Sequence, residues 1–432
     1  MVVGLGASGK AAAWLLASHQ AELVLTDRRE DAATADLPSA TFHLGTEDPA
    51  WLAGIELLVV SPGVPLNGVL VSAASKAAIP VIGEMELASR FIDSPLIAVT
   101  GTNGKSTTTS LLGEMFKRGG FKTFVGGNLG TPLSEAAGGG FDVVVAEVSS
   151  YQLETIEHFK PGIAIHLNLT ADHLDRYYDF EDYARAKAQI FANQDARDWA
   201  ILNRDDPNVW QIRDRLRARV LSFGVEQPSA VPAIWDNHSE IYFDFGEISG
   251  RISLADFKLP GPFNRINAMA AAAAALAFNL APGIIERTIA EFGGLPHRLQ
   301  FVRRHNGVSF FDDSKGTNVG AVAAALTAVR PPVILIAGGV DKGGSYAPLI
   351  EPLRKSVKLL VLYGEARETI HHMVNGVTRL AMAERFEQAV RIAAAEARSG
   401  DTVLLSPGCS SFDQFRNYAE RGRVFQELVR AL

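Results

Sequence analysis

Nine short apolar runs punctuate this sequence, separated by stretches of helical character, and that alternation constrains the fold more than any single motif. They are ELVLTD at 22–27, ELLVVS at 56–61, PLIAVTG at 95–101, DVVVAEVS at 142–149, GIAIHLN at 162–168, WAILN at 199–203, VILIAGG at 333–339, KLLVLYG at 358–364 and DTVLLSP at 401–407. A strand with one wet face alternates apolar and polar residues, whereas runs this apolar suit strands buried on both faces of a parallel sheet. Parallel neighbours need crossover connections, which helices supply. The chain is therefore expected to be α/β throughout.

A chain of 432 residues exceeds one ordinary hydrophobic core, and two to four domains are expected. The helical EMELASRFIDS at 84–94 leads into the strand that carries the strongest motif, and GGLPH at 293–297 has the glycine and proline content of a linker before a fresh strand in FVRRHNGVSFFDDS. Domains over 1–90, 91–296 and 297–432 follow from these junctions. The alanine-dense INAMAAAAAALAF at 266–278 predicts a close-packed buried helix.

Hydrophobic residues at 47% and charged residues at 21% are the balance of a globular chain. The net charge of −7, with no block of Lys and Arg, argues against a nucleic-acid partner, so any bound anion must be gripped by a local site. Cys409 is the single cysteine, which excludes a disulfide within the chain and suits the cytoplasm. MVVGLGASGK enters a strand and a glycine turn with no charged-then-apolar leader, and no apolar run is long enough for a membrane span. Neither export nor membrane insertion is expected.

The sharpest local motif is Val99-Thr100-Gly101-Thr102-Asn103-Gly104-Lys105-Ser106-Thr107, between a strand and the helical TTTSLLGEMFKRGG. A glycine loop at a helix N-terminus aims backbone N–H groups at an anion; Lys105 adds a charge for the terminal phosphates and Ser106 a hydroxyl for Mg²⁺. The motif departs from the general phosphate loop at Val99, where that pattern has glycine. A second glycine turn, Gly4-Leu5-Gly6-Ala7-Ser8-Gly9, also follows a strand, and Asp27 ends the next strand as a dinucleotide site requires. The turn alone does not choose between a nicotinamide dinucleotide and another nucleotide such as a UDP derivative.

Polar residues cluster at other strand ends. Glu147 closes DVVVAE, and Leu169-Thr170-Ala171-Asp172-His173-Leu174-Asp175-Arg176-Tyr177 follows GIAIHLN, so Glu147 and His173 are candidate metal ligands. Lys187 lies in the helical DYARAKAQIF, where a solvated lysine is the ordinary expectation. His297-Arg298, Asp312-Asp313-Ser314-Lys315-Gly316-Thr317-Asn318 and Ser406-Pro407-Gly408-Cys409-Ser410-Ser411-Phe412 have the character of binding loops and also of plain turns. No local signature makes Cys409 a nucleophile.

In their order along the whole chain, TGTNGKST, EVSSYQLE, NLTADHLDRY, GPFNRINA, LPHR, DDSKGTN, GGVDKGG and SPGCSSFDQF resemble the Mur ligases of peptidoglycan synthesis. The resemblance implies three α/β domains: Rossmann-like at the N-terminus, a central P-loop-type ATPase domain with a parallel sheet, and Rossmann-like at the C-terminus. It implies a monomeric ligase using ATP and Mg²⁺ to join D-glutamate to UDP-N-acetylmuramoyl-L-alanine through an acyl phosphate. ATP would be held by residues 101–107 together with Asn128, Asn267, Arg298 and Asp313. Mg²⁺ would be held by Ser106, Glu147, His173 and Lys187, with Lys105, Glu147, His173 and Lys187 catalytic.

Lys187 matches a lysine that is carbamylated in this family; an ammonium cannot ligate a cation, whereas a carbamate can. Ser8, Asp27, Arg28 and Gly63 would face the UDP group, which decides the glycine turn against NAD; Lys315, Thr317, Lys342, Ser411 and Phe412 would surround D-glutamate. Tyr418 stands where related enzymes often carry Phe. The alternatives are a Mur-type ligase for another amino acid and an NAD-dependent dehydrogenase.

Overall fold

The computed structural model describes residues 1–172, 176–341, 343 and 345–432. They form two compact units, Met1–Leu169 with Glu181–Ala255 and Ala268–Ile289, and Thr170–Phe180 with Asp256–Asn267 and Ala290–Leu432. Among the described residues no helix is long and apolar enough to cross a membrane.

The first unit holds two sheets. Strands β1 (Val2–Val3), β2 (Val24–Asp27), β3 (Thr41–Leu44), β4 (Leu58–Val60) and β5 (Val81–Gly83) are all parallel in the order β3-β2-β1-β4-β5. The order reverses at β1, so the turn that follows it opens onto the crevice where such sheets bind ligands. Helix Ala7–Ser18 packs so tightly on this turn that a Cβ at Gly9 would lie 1.8 Å from the Gly4 carbonyl oxygen. Val2, Leu25, Val59 and Ile82 bury one face of the sheet against Ala12, Ala13 and Leu15.

The larger sheet comprises β6 (Leu96–Thr100), β7 (Thr123–Gly127), β8 (Val143–Glu147), β9 (Ile163–His166), β10 (Trp199–Asn203), β11 (Arg219–Gly224), β12 (Ala233–Asp236), β13 (Glu240–Asp244) and β14 (Ser249–Ser253). Its order is β14-β13-β12-β11-β10-β9-β6-β8-β7, parallel from β7 to β12, with β13 and β14 added antiparallel. Every residue of β6, β8 and β9 is buried, as their unbroken apolar runs require. Because β6 lies between β8 and β9, Val99 pairs with Glu147 and Thr100 with His166, which brings three strand ends to one edge. Helix Lys105–Arg118 returns over the sheet, and Gly113 permits the approach: a Cβ there would lie 2.3 Å from Val125 Cγ2. The alanine-rich stretch forms helix Pro262–Ala277, with residues 268–275 wholly buried.

Two carboxylates fix the helix Glu84–Ser89 between these sheets. Glu86 accepts the backbone N–H groups of Glu157, His158 and Phe159 at 2.9, 3.0 and 2.9 Å and Arg90 Nε at 2.9 Å. Burial raises its pKa, but these donors outweigh burial and hold it below the usual carboxylate range. Glu84 has one strong donor, Ser134 N–H at 2.6 Å, and its Oε2 has no partner among the described residues. Burial therefore wins at Glu84 and raises its pKa.

In the second unit β15 (Gln300–His305), β16 (Val308–Asp312), β17 (Val333–Gly338), β18 (Val357–Tyr363), β19 (Leu380–Ala383) and β20 (Thr402–Gly408) are ordered β15-β16-β20-β17-β18-β19. All neighbours are parallel except the β15–β16 hairpin. The single strand expected after the GGLPH linker is thus a hairpin. Asn306 and Gly307 turn it with φ of 48° and 78°, the two-residue turn that matches strand twist.

A carboxyl group kept protonated by the fold adds stability at low pH that is lost as pH rises through its raised pKa. Relative to Glu84→Gln, the wild type should lose urea resistance as pH climbs above the ordinary value of 4.5; parallel profiles would show Glu84 to be ionised in the fold. Gly113→Ala should cost about 1–3 kcal/mol by overpacking, largely recovered in Gly113→Ala/Val125→Ala, as read from denaturation midpoints.

Candidate functional site

At the edge where β6, β8 and β9 end, Gly101 at φ +151° and Gly104 at φ +87° carry the chain into helix Lys105–Arg118. Both angles favour glycine, and a Cβ at Gly101 would also crowd Leu167 Cβ at 2.9 Å. No side chain caps the helix at Gly104, and its first turn presents the positive end of the helix dipole. Asn168 clamps the loop: its side chain accepts Asn103 N–H at 2.8 Å and donates to the Asn103 carbonyl at 2.9 Å, while its carbonyl accepts Thr102 N–H at 3.0 Å.

Two lysines converge on one acceptor. Lys105 Nζ donates to the carbonyls of Gly101 at 2.8 Å and Thr102 at 2.9 Å, and Lys187 Nζ donates to Gly101 at 2.9 Å. Lys187 is only 2% exposed, so it is not the solvated lysine that a helix ordinarily carries. Tyr183, one turn earlier on the same helix, places its ring 4.8 Å from Lys187 Nζ and its hydroxyl 3.2 Å from Thr102 Oγ1. His166 is buried below; burial first, then the charges of Lys187 and Lys105, lower its pKa to about 3. Neither of its ring nitrogens has a hydrogen-bond partner among the described residues.

Glu147, 3% exposed at the end of β8, accepts Asn128 Nδ2 at 2.7 Å on Oε1, and its carbonyl accepts Asn128 N–H at 2.9 Å. Asn128 also borders a cavity of about 570 Å³ beside the first glycine turn, lined by Gly4, Ser8, Asp27, Arg28 and Gly63 among others. Asp27 shapes that rim. Its oxygens take Leu5 N–H at 2.8 Å and three donors of Arg29 at 2.9–3.0 Å, and the Arg29 side chain chiefly holds it down at about 2. Ser61 Oγ ties the neighbouring loop to the Gly4 carbonyl at 2.7 Å, and Arg28 pairs with Glu47 at 2.9 Å.

The second unit gathers a different set. Asn267 Nδ2 meets Asn264 Oδ1 at 3.3 Å. Asp313 accepts Leu299 N–H at 3.1 Å and Ser406 Oγ–H at 2.7 Å; burial raises it to about 7 against these bonds and the Arg298 charge. Beside it His297 Nδ1 lies 2.7 Å from Asp312 Oδ2. His297 and Leu299 both adopt positive φ, at 61° and 44°, costing on the order of 1 kcal/mol or more each. Gly422 leaves room for the His297 ring, since a Cβ there would lie 2.1 Å from Nδ1. Lys315 Nζ sits 5.3 Å over the Tyr418 ring, so tyrosine at 418 still offers an aromatic face. Ser411 is buried and Phe412 73% exposed on the same loop. Cys409 is buried, which pushes its thiol to about 11 against a hydrogen bond shared with Tyr346, so a thiolate nucleophile is disfavoured.

The first unit thus brings residues 101–107 together with Lys187 and Glu147, and the cavity residues together with Asn128; the second holds Asn267, Arg298, Asp313, Lys315, Thr317, Ser411 and Phe412. His173 and Lys342 lie outside the described residues. The sequence did not single out Asn168, His166 or Tyr183. Asn168 carried a signal, as a polar residue directly at a strand's carboxyl end; the other two carried none. Converging lysines, a helix N-terminus and a nearby carboxylate suit a metal-bound polyphosphate.

Residues 1–83 match the Mur ligase MurD-like N-terminal domain, 99–275 the Mur ligase middle domain and 297–409 the Mur ligase glutamate ligase domain. Over its full length the chain is 44% identical to the UDP-N-acetylmuramoylalanine–D-glutamate ligase of Geotalea daltonii, of which it covers 97%. It is also 44% identical to the protein of the same name from Geotalea uraniireducens, again covering 97%. A pseudomurein peptide ligase type C from Methanothermus fervidus superposes over 100% of this chain and 99% of its own with a TM-score of 0.66 at 19% identity, which speaks to fold alone. With three family models matched in order and relatives this similar along the whole length, the chain belongs to the Mur ligase family.

Proposed function

We propose that this chain is the ligase that uses ATP to add D-glutamate to UDP-N-acetylmuramoyl-L-alanine in peptidoglycan precursor synthesis. The observation that carries the reading is end-to-end similarity to relatives bearing that name, combined with a strand-loop-helix that puts Lys105 and Lys187 on one carbonyl. We divide the work among domains 1–90 for the UDP-sugar, 91–296 for ATP and 297–432 for the amino acid, in a monomeric cytoplasmic enzyme.

In the reaction the alanyl carboxylate attacks the γ-phosphorus of ATP, the bond to the β-phosphate oxygen breaks, and ADP leaves an acyl phosphate. The neutral amine of D-glutamate then attacks the acyl carbon; the tetrahedral intermediate collapses to the amide, losing phosphate and the amine's surplus proton. Two anions must meet in the first step, so the protein's share is positioning and charge neutralisation. The loop 101–107 and Lys105 cradle the phosphates, with Asn128, Asn267, Arg298 and Asp313 as further ATP contacts. The rim of Ser8, Asp27, Arg28 and Gly63 receives the UDP group, and Lys315, Thr317, Lys342, Ser411 and Phe412 receive D-glutamate.

The donor set fits Mg²⁺: the Ser106 hydroxyl, in the first turn of the helix after β6, and the Glu147 carboxylate, at the end of neighbouring β8, are hard oxygens, with His173 as a further ligand. When bound, Mg²⁺ supplies Lewis-acid neutralisation of the phosphates. Lys187 joins the set as a carbamate, formed when its neutral amine adds to CO₂ and loses a proton.

Lys105→Ala should lose at least about a hundredfold in kcat while binding UDP-N-acetylmuramoyl-L-alanine as the wild type does by calorimetry; normal turnover would remove Lys105 from the phosphate site. A carbamate signal from ¹³C-bicarbonate should be present in the wild type and missing in Lys187→Ala; its absence from the wild type would refute the modification. Phosphate release across an amino-acid panel should be fastest with D-glutamate, and a preference for another amino acid would reassign the substrate.

A further inference from the structure

Arg421 lies in the first turn of helix Tyr418–Arg430 and is 0% exposed. Its guanidinium spends its donors on loops at the carboxyl ends of β16, β18 and β20. Nε donates to Ser314 Oγ at 3.0 Å; Nη1 to Tyr363 Oη at 3.1 Å and the Ser410 carbonyl at 3.3 Å; Nη2 to the Ser314 carbonyl at 2.9 Å and the Cys409 carbonyl at 3.2 Å. The loop after β17 is drawn into the same knot, because Val340 and Ser410 exchange two backbone hydrogen bonds of 3.0 Å. Gly339 makes room for it, since a Cβ there would lie 3.2 Å from Arg421 Nη1 and 2.0 Å from the Ser410 carbonyl oxygen.

Each of these acceptors is a neutral oxygen, and no carboxylate among the described residues pairs with Arg421. Burying a cation away from a counter-ion sacrifices solvation that neutral acceptors restore only in part, and well-packed apolar residues often serve stability better. A charge kept in such a place sends its field into the surrounding loops. That field reaches Tyr363 and Cys409, where it opposes the rise in pKa that burial causes.

We propose that Arg421 is the positioning residue of the amino-acid site: it locks the 312–318 and 406–415 loops in register and supplies the positive potential that draws a dicarboxylate to them. This rests on the placement of D-glutamate at Lys315, Thr317, Ser411 and Phe412. The geometry separates two contributions. Lysine at 421 keeps the charge and loses the planar fork; methionine loses both.

The test is steady-state kinetics of full-length Arg421→Lys, Arg421→Met and Ser314→Ala, with ATP, UDP-N-acetylmuramoyl-L-alanine and D-glutamate varied in turn. Wild-type turnover is measured first, so that failure of the activity assignment is distinguished from failure of this one; should another amino acid be preferred, its KM is the one read. Arg421→Lys should raise the KM for the amino acid about tenfold or more, with Arg421→Met higher still and Ser314→Ala smaller in the same direction. The KM for the UDP-substrate should stay within about twofold, as expected where no shared group is lost, and the KM for ATP should shift less than that for the amino acid, since Asp313 lies on the same loop. Unchanged amino-acid KM in variants with wild-type near-UV circular dichroism, or a fall in kcat alone, would overturn the proposal. Should Arg421→Met not fold, Arg421→Lys and Ser314→Ala decide it.

Discussion

The carbonyl oxygen of Gly101 accepts hydrogen bonds from both Lys105 and Lys187, and much of the first unit is arranged so that this can happen. Lys105 reaches it from the first turn of a helix, and Lys187 from 86 residues further along the chain. The loop must present its carbonyl inward, which takes the glycine at φ +151° and the Asn168 clamp. The strand order places a carboxylate at the same edge, since β6 between β8 and β9 sets Glu147 across from Val99.

Buried carboxylates show how environment alone decides charge. Glu84 and Glu86 lie two residues apart on one helix, yet backbone N–H groups and Arg90 hold Glu86 ionised, while Glu84 receives a single N–H and is pushed toward its neutral form. Asp27 and Asp313 repeat the contrast: Arg29 keeps the first well ionised, and burial lifts the second to about 7.

All nine apolar runs became strands, because a run that fills both faces of a parallel sheet declares itself within a single short window. The alanine helix and the phosphate loop were equally legible, being local patterns whose physics is local. The β15–β16 hairpin was missed although Asn306-Gly307 advertised it, and β12 to β14 were passed over since their alternation is mixed with polar residues. Site residues divide along the same line. Lys105 and Ser106 follow from the glycine spacing, whereas Tyr183, His166 and Arg421 gain their meaning from partners 81, 66 and 107 positions distant in the cases of Thr102, Thr100 and Ser314. No window along the chain contains such pairs.

The two units reach ligand-binding loops by different electrostatic means. In the first, a helix N-terminus and Lys105 gather positive potential of the kind that suits flexible, multiply charged phosphates. In the second, a buried guanidinium joins the loops that follow β16 and β20. Lysine suits the first task, because its point charge adapts to a moving anion; arginine suits the second, because its planar fork binds several fixed oxygens at once. The choice of cation at each place is thus explained by whether the partner moves.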